Sequence, residues 1–223
     1  MNLYGANSAL FKVRIEGGYV LVAKAARSNY PGMETELLEQ LKREAGVYRR
    51  LHSLQGHGVP LCLGVVDLNK GGKQLGAPGQ SRFLHMASFS ACLLLSWAGR
   101  PFGFTSSENV DVERVRLGRQ REELIALVGN IHELGVLHGD AARRNIVVDP
   151  ASDRFVIVDF ERADSKRRFS RRLTSKCSQV SDERADQLFQ QACEMEREKW
   201  LLELDGWIDG TLRRLEYDAV RSI

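Results

Sequence analysis

VLHGDAARRNIVV, residues 136–148, is the stretch on which the reading of this chain turns. It sets a polar, arginine-rich knot between two apolar runs. Gly139 separates His138 from Asp140, Asn145 stands five positions beyond Asp140, and the second apolar run starts at Ile146. Such a knot is either an ordinary surface turn or a loop that holds two polar side chains at a set spacing.

The flanks supply the context. Upstream, Val115, Leu124, Leu127, Val128, Ile131 and Leu134 recur at helical spacing, which predicts a long helix over 112–134 that runs into the knot. Downstream, NIVVDPASDRFVIVDFERAD reads as strand, turn at Pro150 and strand, a small hairpin. Beyond Asp164 the chain turns basic and is expected to be loop to about Val180, followed by two helices at roughly 182–204 and 206–221.

The first hundred residues have a different character. LFKVRIEGGYVLVAKAA (10–26) predicts two strands around a Gly17-Gly18 turn. Leu37, Leu38, Leu41, Ala45, Tyr48 and Leu51 predict an amphipathic helix over 34–54, closed by Gly56, Gly58 and Pro60. PLCLGVVDL (60–68), FLHM (83–86) and CLLLSWAG (92–99) are expected strands, with a loop at 69–81 and a linker at 101–111.

Composition narrows the classes. The 223 residues are 43% hydrophobic and 27% charged, ordinary for a globular chain. A net charge of +3 is too balanced to make nucleic acid the main partner. Cys62, Cys92, Cys177 and Cys193 are widely spaced with no C-x-x-C, so they are expected to be buried or incidental thiols of a reducing compartment. The start, MNLYGANSAL, has no signal-peptide pattern, and no run approaches the ~18 apolar residues of a membrane helix. The expectation is an intracellular protein, cytoplasmic or nuclear, without a membrane partner.

Phosphoryl transfer requires a cation on the nucleotide phosphates, oxygen ligands for Mg²⁺, and a group that orients the attacking hydroxyl. The chain supplies candidates in order. Lys24 ends the apolar run YVLVAK, and Glu44 lies on the next helix. Asp140 and Asn145 have D-x-x-x-x-N spacing within HGDAARRN, and Asp159 follows in VIVDFE. Each piece alone is weak, since an edge lysine, a glutamate on a charged helix or an H-x-D tripeptide is common; their joint order and spacing carry the signal.

With these motifs the chain resembles the protein-kinase-like superfamily, and HGD with DFE is most similar to its atypical branches, including small kinase-like proteins of fungi. The resemblance implies an α+β, bilobal protein-kinase-like fold as a single domain over 1–223. Its N-terminal lobe (1–98) would be an antiparallel sheet plus one helix, and its C-terminal lobe (99–223) shortened and mainly helical. It implies ATP and Mg²⁺ as cofactors. Asp140 would orient the acceptor hydroxyl and take its proton, while Asn145 and Asp159 would ligate Mg²⁺. Lys24, held by Glu44, would neutralise the α/β-phosphates. Gly5 would belong to the phosphate loop, Leu10 to the roof over the base, and the backbone of Ser96 and Ala98 would face the adenine. Trp97 reads equally as lobe packing. His138 would brace the loop from behind, and His132 would pack at its helix end. Arg143 and Arg144 either meet substrate or phosphate or form a solvated face.

The pattern also departs from the family's. In LYGANSAL only Gly5 survives of the three loop glycines, Leu3 and Ser8 standing in the other places. Gly139 replaces the HRD arginine, which argues against switching by activation-loop phosphorylation. Glu161 replaces the DFG glycine, and no A-P-E follows. Beyond Asp159 there is room for about two helices, so an extended-peptide acceptor of the usual kind is poorly supported. Two readings follow: an ATP-dependent phosphotransferase acting on a hydroxyl of an unknown acceptor, protein Ser/Thr or small molecule, and a pseudokinase or nucleotide-binding scaffold with little turnover. The basic segment SKRRFSRRLTSK (165–176) is either a solvated loop or a docking patch for an acidic partner, and its RRFS and RRLT resemble basophilic-kinase sites at Ser170 and Thr174.

Overall fold

The structure, a computed structural model, describes residues 3–4, 8–28, 34–68, 88–102, 109–176 and 180–221. The chain divides into two compact units, Met1–Gly56 with Pro60–Trp97, and His57–Val59 with Ala98–Ile223. The fold is α+β, with an antiparallel sheet in the first unit and mainly helix in the second.

The first unit holds strands β1 (Leu3–Tyr4), β2 (Ser8–Arg14), β3 (Val20–Ser28), β4 (Cys62–Asp67) and β5 (Ser88–Ser96), with helix α1 (Glu34–Arg50). The sheet order is β1-β2-β3-β5-β4, all neighbours antiparallel. β3 is thus central, which suits its near-continuous apolar run. Strand alternation puts Ala23 and Ala25 on one face, where they pack with Cys92, Phe11, Val13, Phe89 and Leu94. Phe11 and Phe89 meet edge to face at 5.4 Å. Lys24 falls on the opposite face. In α1, Leu37, Leu41, Glu44, Ala45 and Tyr48 are buried, a single stripe at i, i+4, i+7, i+8, i+11. A one-turn 3₁₀ helix at His52–Leu54 ends the element.

The second unit holds β6 (Arg100–Pro101), α2 (Val110–Glu133), β7 (Val136–Leu137), β8 (Ile146–Asp149), β9 (Arg154–Ile157), β10 (Asp164–Ser165), α3 (Lys166–Lys176) and α4 (Asp182–Arg221). Asn109 caps α2, its side-chain oxygen accepting the N–H groups of Asp111 (3.0 Å) and Val112 (3.1 Å). The β8–β9 hairpin forms around Pro150, and β6 joins it as a third strand. Gly99, with φ +135°, is required just before β6, because a Cβ there would run into the carbonyl of Val148. Phe102 packs on Phe155 and Trp207 at 4.7 and 4.0 Å.

Three expectations are corrected. The segment after Asp164 is helix, not loop. Phe169 anchors α3 on Phe189 at 5.5 Å, and the arginines keep their charged ends in water. The two C-terminal helices are one helix of 40 residues. Its buried and half-buried positions, Ala185, Phe189, Cys193, Glu196, Trp200, Leu204, Trp207 and Thr211, repeat in steps of four, four and three, and the stripe runs straight past Gly206. A mid-helix glycine costs only about 1 kcal/mol, less than that packing contributes. In α2, Val115 is 76% exposed, while Glu113 and Gln120 are buried in its place. The true stripe is Glu113, Leu117, Gln120, Leu124, Leu127, Val128, Ile131, with its polar members bound to the hairpin turn through Arg116 and Asp153. Gly5, FLHM, Cys177 and the predicted 69–81 loop lie outside the described residues.

Cys62, Cys92 and Cys193 are free thiols, and burial pushes Cys193 up to about 11. Among the described residues no helix is long and apolar enough to cross a membrane.

Candidate functional site

In the first unit, Lys24 and Glu44 meet as a buried ion pair, Nζ to Oε2 at 2.9 Å, with 4% and 2% of each residue exposed. β3 supplies the lysine from its α1-facing side, and the apolar stripe of α1 carries the glutamate inward. Register sets Leu10 and Leu93 directly opposite Lys24 on the two flanking strands, so the three side chains form one row on one face. Ser96, at the end of β5, donates its N–H to the Leu61 carbonyl (2.8 Å), while its Oγ accepts the Leu61 N–H (2.9 Å). Its N–H is therefore already used within the unit. Trp97 lies under the Lys12 ammonium at 4.3 Å, and Ala98 opens the second unit.

In the second unit, the knot is a tight loop ending in a 3₁₀ turn at Arg143–Asn145. Asn145 is buried and its amide nitrogen donates to the Asp140 carbonyl (2.9 Å) and to Asp140 Oδ2 (3.1 Å). That bond set leaves Oδ1 as the amide atom able to face a cation. Arg144 grips Asp140 through both carboxylate oxygens at 2.8 and 2.7 Å, and Arg162 stands 3.8 Å away. Burial pushes the Asp140 carboxyl up, but hydrogen bonds from Arg144 and Asn145 and the nearby charges outweigh it and hold the group below the usual carboxylate range.

His138 is buried behind the loop. Its Nε2–H donates to the Val158 carbonyl (3.0 Å), and its ring packs on Phe160 and Trp200. Burial pushes its pKa below the ordinary value, so the ring is neutral and structural. Val158 N–H returns to the Asn145 carbonyl (2.9 Å). The two segments are thus pinned together one residue before Asp159. That residue, two positions past the end of β9, caps a 3₁₀ turn at Phe160–Arg162 in a left-handed conformation, φ 67° and ψ 67°, with Glu161 two positions on. A buried amide oxygen and an exposed carboxylate on adjoining backbone suit a hard divalent cation such as Mg²⁺.

Glu196 is the functional-site residue that periodicity missed. It comes from α4 and accepts the N–H of His138 (2.9 Å), the N–H of Gly139 (2.6 Å) and His132 Nε2 (2.9 Å). Burial would push its carboxyl up, but the hydrogen bonds from His132, Gly139 and His138 win and leave it lowered. Its signal in the sequence was an acid in phase with the apolar stripe of a helix. His132 is thereby explained as an orienting partner of that carboxylate. Gly139 has φ +77°, and a Cβ there would run into the Arg162 carbonyl. This backbone therefore demands glycine at position 139.

No family model matches the chain. It is similar to the meiotic driver SPOK2 of Podospora anserina, 33% identical over 183 residues, which cover 82% of this chain. The aligned part makes up 20% of that protein, so the chain spans a small fraction of the curated relative's length.

Proposed function

We propose that this chain is an ATP-dependent phosphotransferase of protein-kinase-like fold that moves the γ-phosphate of Mg·ATP to a hydroxyl. The observation that carries the reading is the Asp140–Asn145 loop, cross-linked by side-chain hydrogen bonds and tied through His138 and Val158 to the Asp159 segment. A surface turn has no need of a buried histidine, a buried asparagine and a carboxylate from a distant helix to hold one aspartate still. The buried Lys24–Glu44 pair adds support, because burying two charges costs several kcal/mol per ion that neutral packing would not incur.

In this reading Lys24, steadied by Glu44, meets the α/β-phosphates, and Leu10 covers the base. Asn145 Oδ1 and the Asp159 carboxylate hold Mg²⁺, which when bound neutralises charge developing on the phosphates. Asp140 accepts the proton of the acceptor hydroxyl as the new O–P bond forms and the bond from the γ-phosphorus to the β–γ bridging oxygen breaks, leaving ADP.

A second reading, a nucleotide-binding scaffold, is favoured by one observation: Arg144 occupies both oxygens of Asp140, so the base is engaged until that side chain moves. Mg·ATP binding and turnover by wild type and Asp140→Ala separate the two. The expected result is retained binding with turnover lowered by about 10²–10⁴. Binding without turnover in the wild type would favour the scaffold, and absence of binding would sink both.

A further inference from the structure

We propose that the arginine face of α3 receives an acidic polypeptide segment. Within the phosphotransfer reading, on which only this last step rests, that segment belongs to the acceptor protein. From Ala163 to Ser175, Lys166, Arg167, Arg168, Arg171 and Arg172 face a single acidic residue in the same stretch, Asp164. The helix sorts them. Phe169 packs inward on Phe189, whereas Arg167, Arg168, Arg171 and Arg172 are exposed at i, i+1, i+4, i+5 along one side. Lys166 is matched by Asp186 (2.8 Å). Arg172 (2.9 Å) and Arg168 (3.8 Å) share Asp164 between them, leaving one charge in excess. Among the described residues, no ion pair is formed by Arg167 or Arg171.

This face adjoins the knot. β10 pairs with β7 in the register Asp164 to Leu137, the residue before His138, and Lys166 N–H donates to the Gly135 carbonyl (2.8 Å). Arg162, just upstream, reaches Asp140 together with Arg144, two cations on one carboxylate. Positive charge therefore runs from Asp140 through Arg162 to the length of α3, about 16 Å at 1.5 Å per residue. That span matches several residues of extended chain, more than a small anion covers. Guanidinium groups suit carboxylates, which they can grip with two parallel hydrogen bonds. Single-stranded nucleic acid would want stacking platforms, but Phe169, the aromatic residue of α3, is committed to Phe189.

The test is fluorescence-anisotropy binding of a labelled peptide of Glu and Asp around one Ser to the full chain, beside a neutral Gln/Ser peptide and an oligothymidylate. The acidic peptide is expected to bind at least about tenfold tighter than the neutral one, and more weakly as salt rises. Arg167→Gln with Arg171→Gln should weaken it about tenfold, and the corresponding lysine pair should restore most of that. Equal binding of the two peptides, an unaffected glutamine variant, or tighter binding of the oligothymidylate would overturn the proposal. Mg·ATP binding, measured on the same samples, reports on phosphotransfer separately, because Arg167 and Arg171 have no part in it.

Discussion

The two units each hold a lysine or arginine against a carboxylate, and the two pairs are of opposite kinds. Lys24 and Glu44 are almost fully buried, whereas Arg144 is 66% exposed over an Asp140 side chain that is 15% exposed. A buried pair cannot be left half made, because losing one partner strands a charge away from water. An exposed pair can open into solvent for less than about 1 kcal/mol. The first is a fixture of its unit, and the second is a clasp. Phosphotransfer would want both: a cation that never moves, and a base that can be released when an acceptor arrives.

Breaking the fixture should have the largest effect. Glu44→Gln should cost about 3 kcal/mol or more in denaturant unfolding, while Glu44→Leu with Lys24→Met should recover much of that and, in the phosphotransfer reading proposed above, abolish Mg·ATP binding. A loss under about 1 kcal/mol would mean that the pair is not buried in solution. Gly139→Arg, which turns the H-G-D tripeptide into H-R-D, comes next. Positive φ and the clash with Arg162 should cost about 2–3 kcal/mol, read as a drop in Tm, with no gain of function.

Glu196→Gln tests the support behind the clasp. Replacing an ionised acceptor of three hydrogen bonds should cost about 2 kcal/mol at pH 7. The folded state lowers this carboxyl, so the wild-type advantage is full above the unfolded value near 4.5 and is lost as pH falls through the lower folded value. The variant should lack that acid step. A different step belongs to His138, whose folded pKa is depressed: the unfolded state binds the extra proton, so stability falls as pH drops below about 6.5 in both proteins. Unfolding measured at pH 7, 6 and 4 resolves the two.

The smallest effect is expected at the clasp itself. Arg144→Ala should shift stability by less than about 1 kcal/mol, let the Asp140 carboxyl rise toward its ordinary range in an NMR titration and, in the phosphotransfer reading proposed above, preserve or raise turnover. Turnover abolished by this change would make Arg144 part of the chemistry rather than its gate.

Much of the site was legible because short-range spacing encodes it. Asp140 and Asn145 hydrogen-bond across one loop, and Lys24 and Glu44 each sit in an apolar pattern whose period says which way they face. What escaped was polar residues in phase with apolar ones. Glu113 and Glu196 lie in the inward-facing stripes of α2 and α4, and a periodicity that counts only apolar residues passes over them. The chain end was misread for a related reason. Gly206 looks like a stop, yet Asp205 beside it pairs with Arg121 at 2.6 Å and Leu204 and Trp207 pack on either side, so tertiary contacts overrule propensity.

The sequence by itself therefore determined the α+β class, the order of the sheet-rich and helical halves, and the spacing of Asp140, Asn145 and Asp159, because these are local patterns of period and turn chemistry. Only the tertiary structure decided that Glu196 holds the loop, that Gly139 is obligatory, that Arg144 closes on Asp140 and that the basic segment is a helix with an arginine face. Each of these depends on groups far apart in the chain, or on backbone geometry set by such groups, and no local pattern specifies which distant partner will satisfy a buried charge or hydrogen bond.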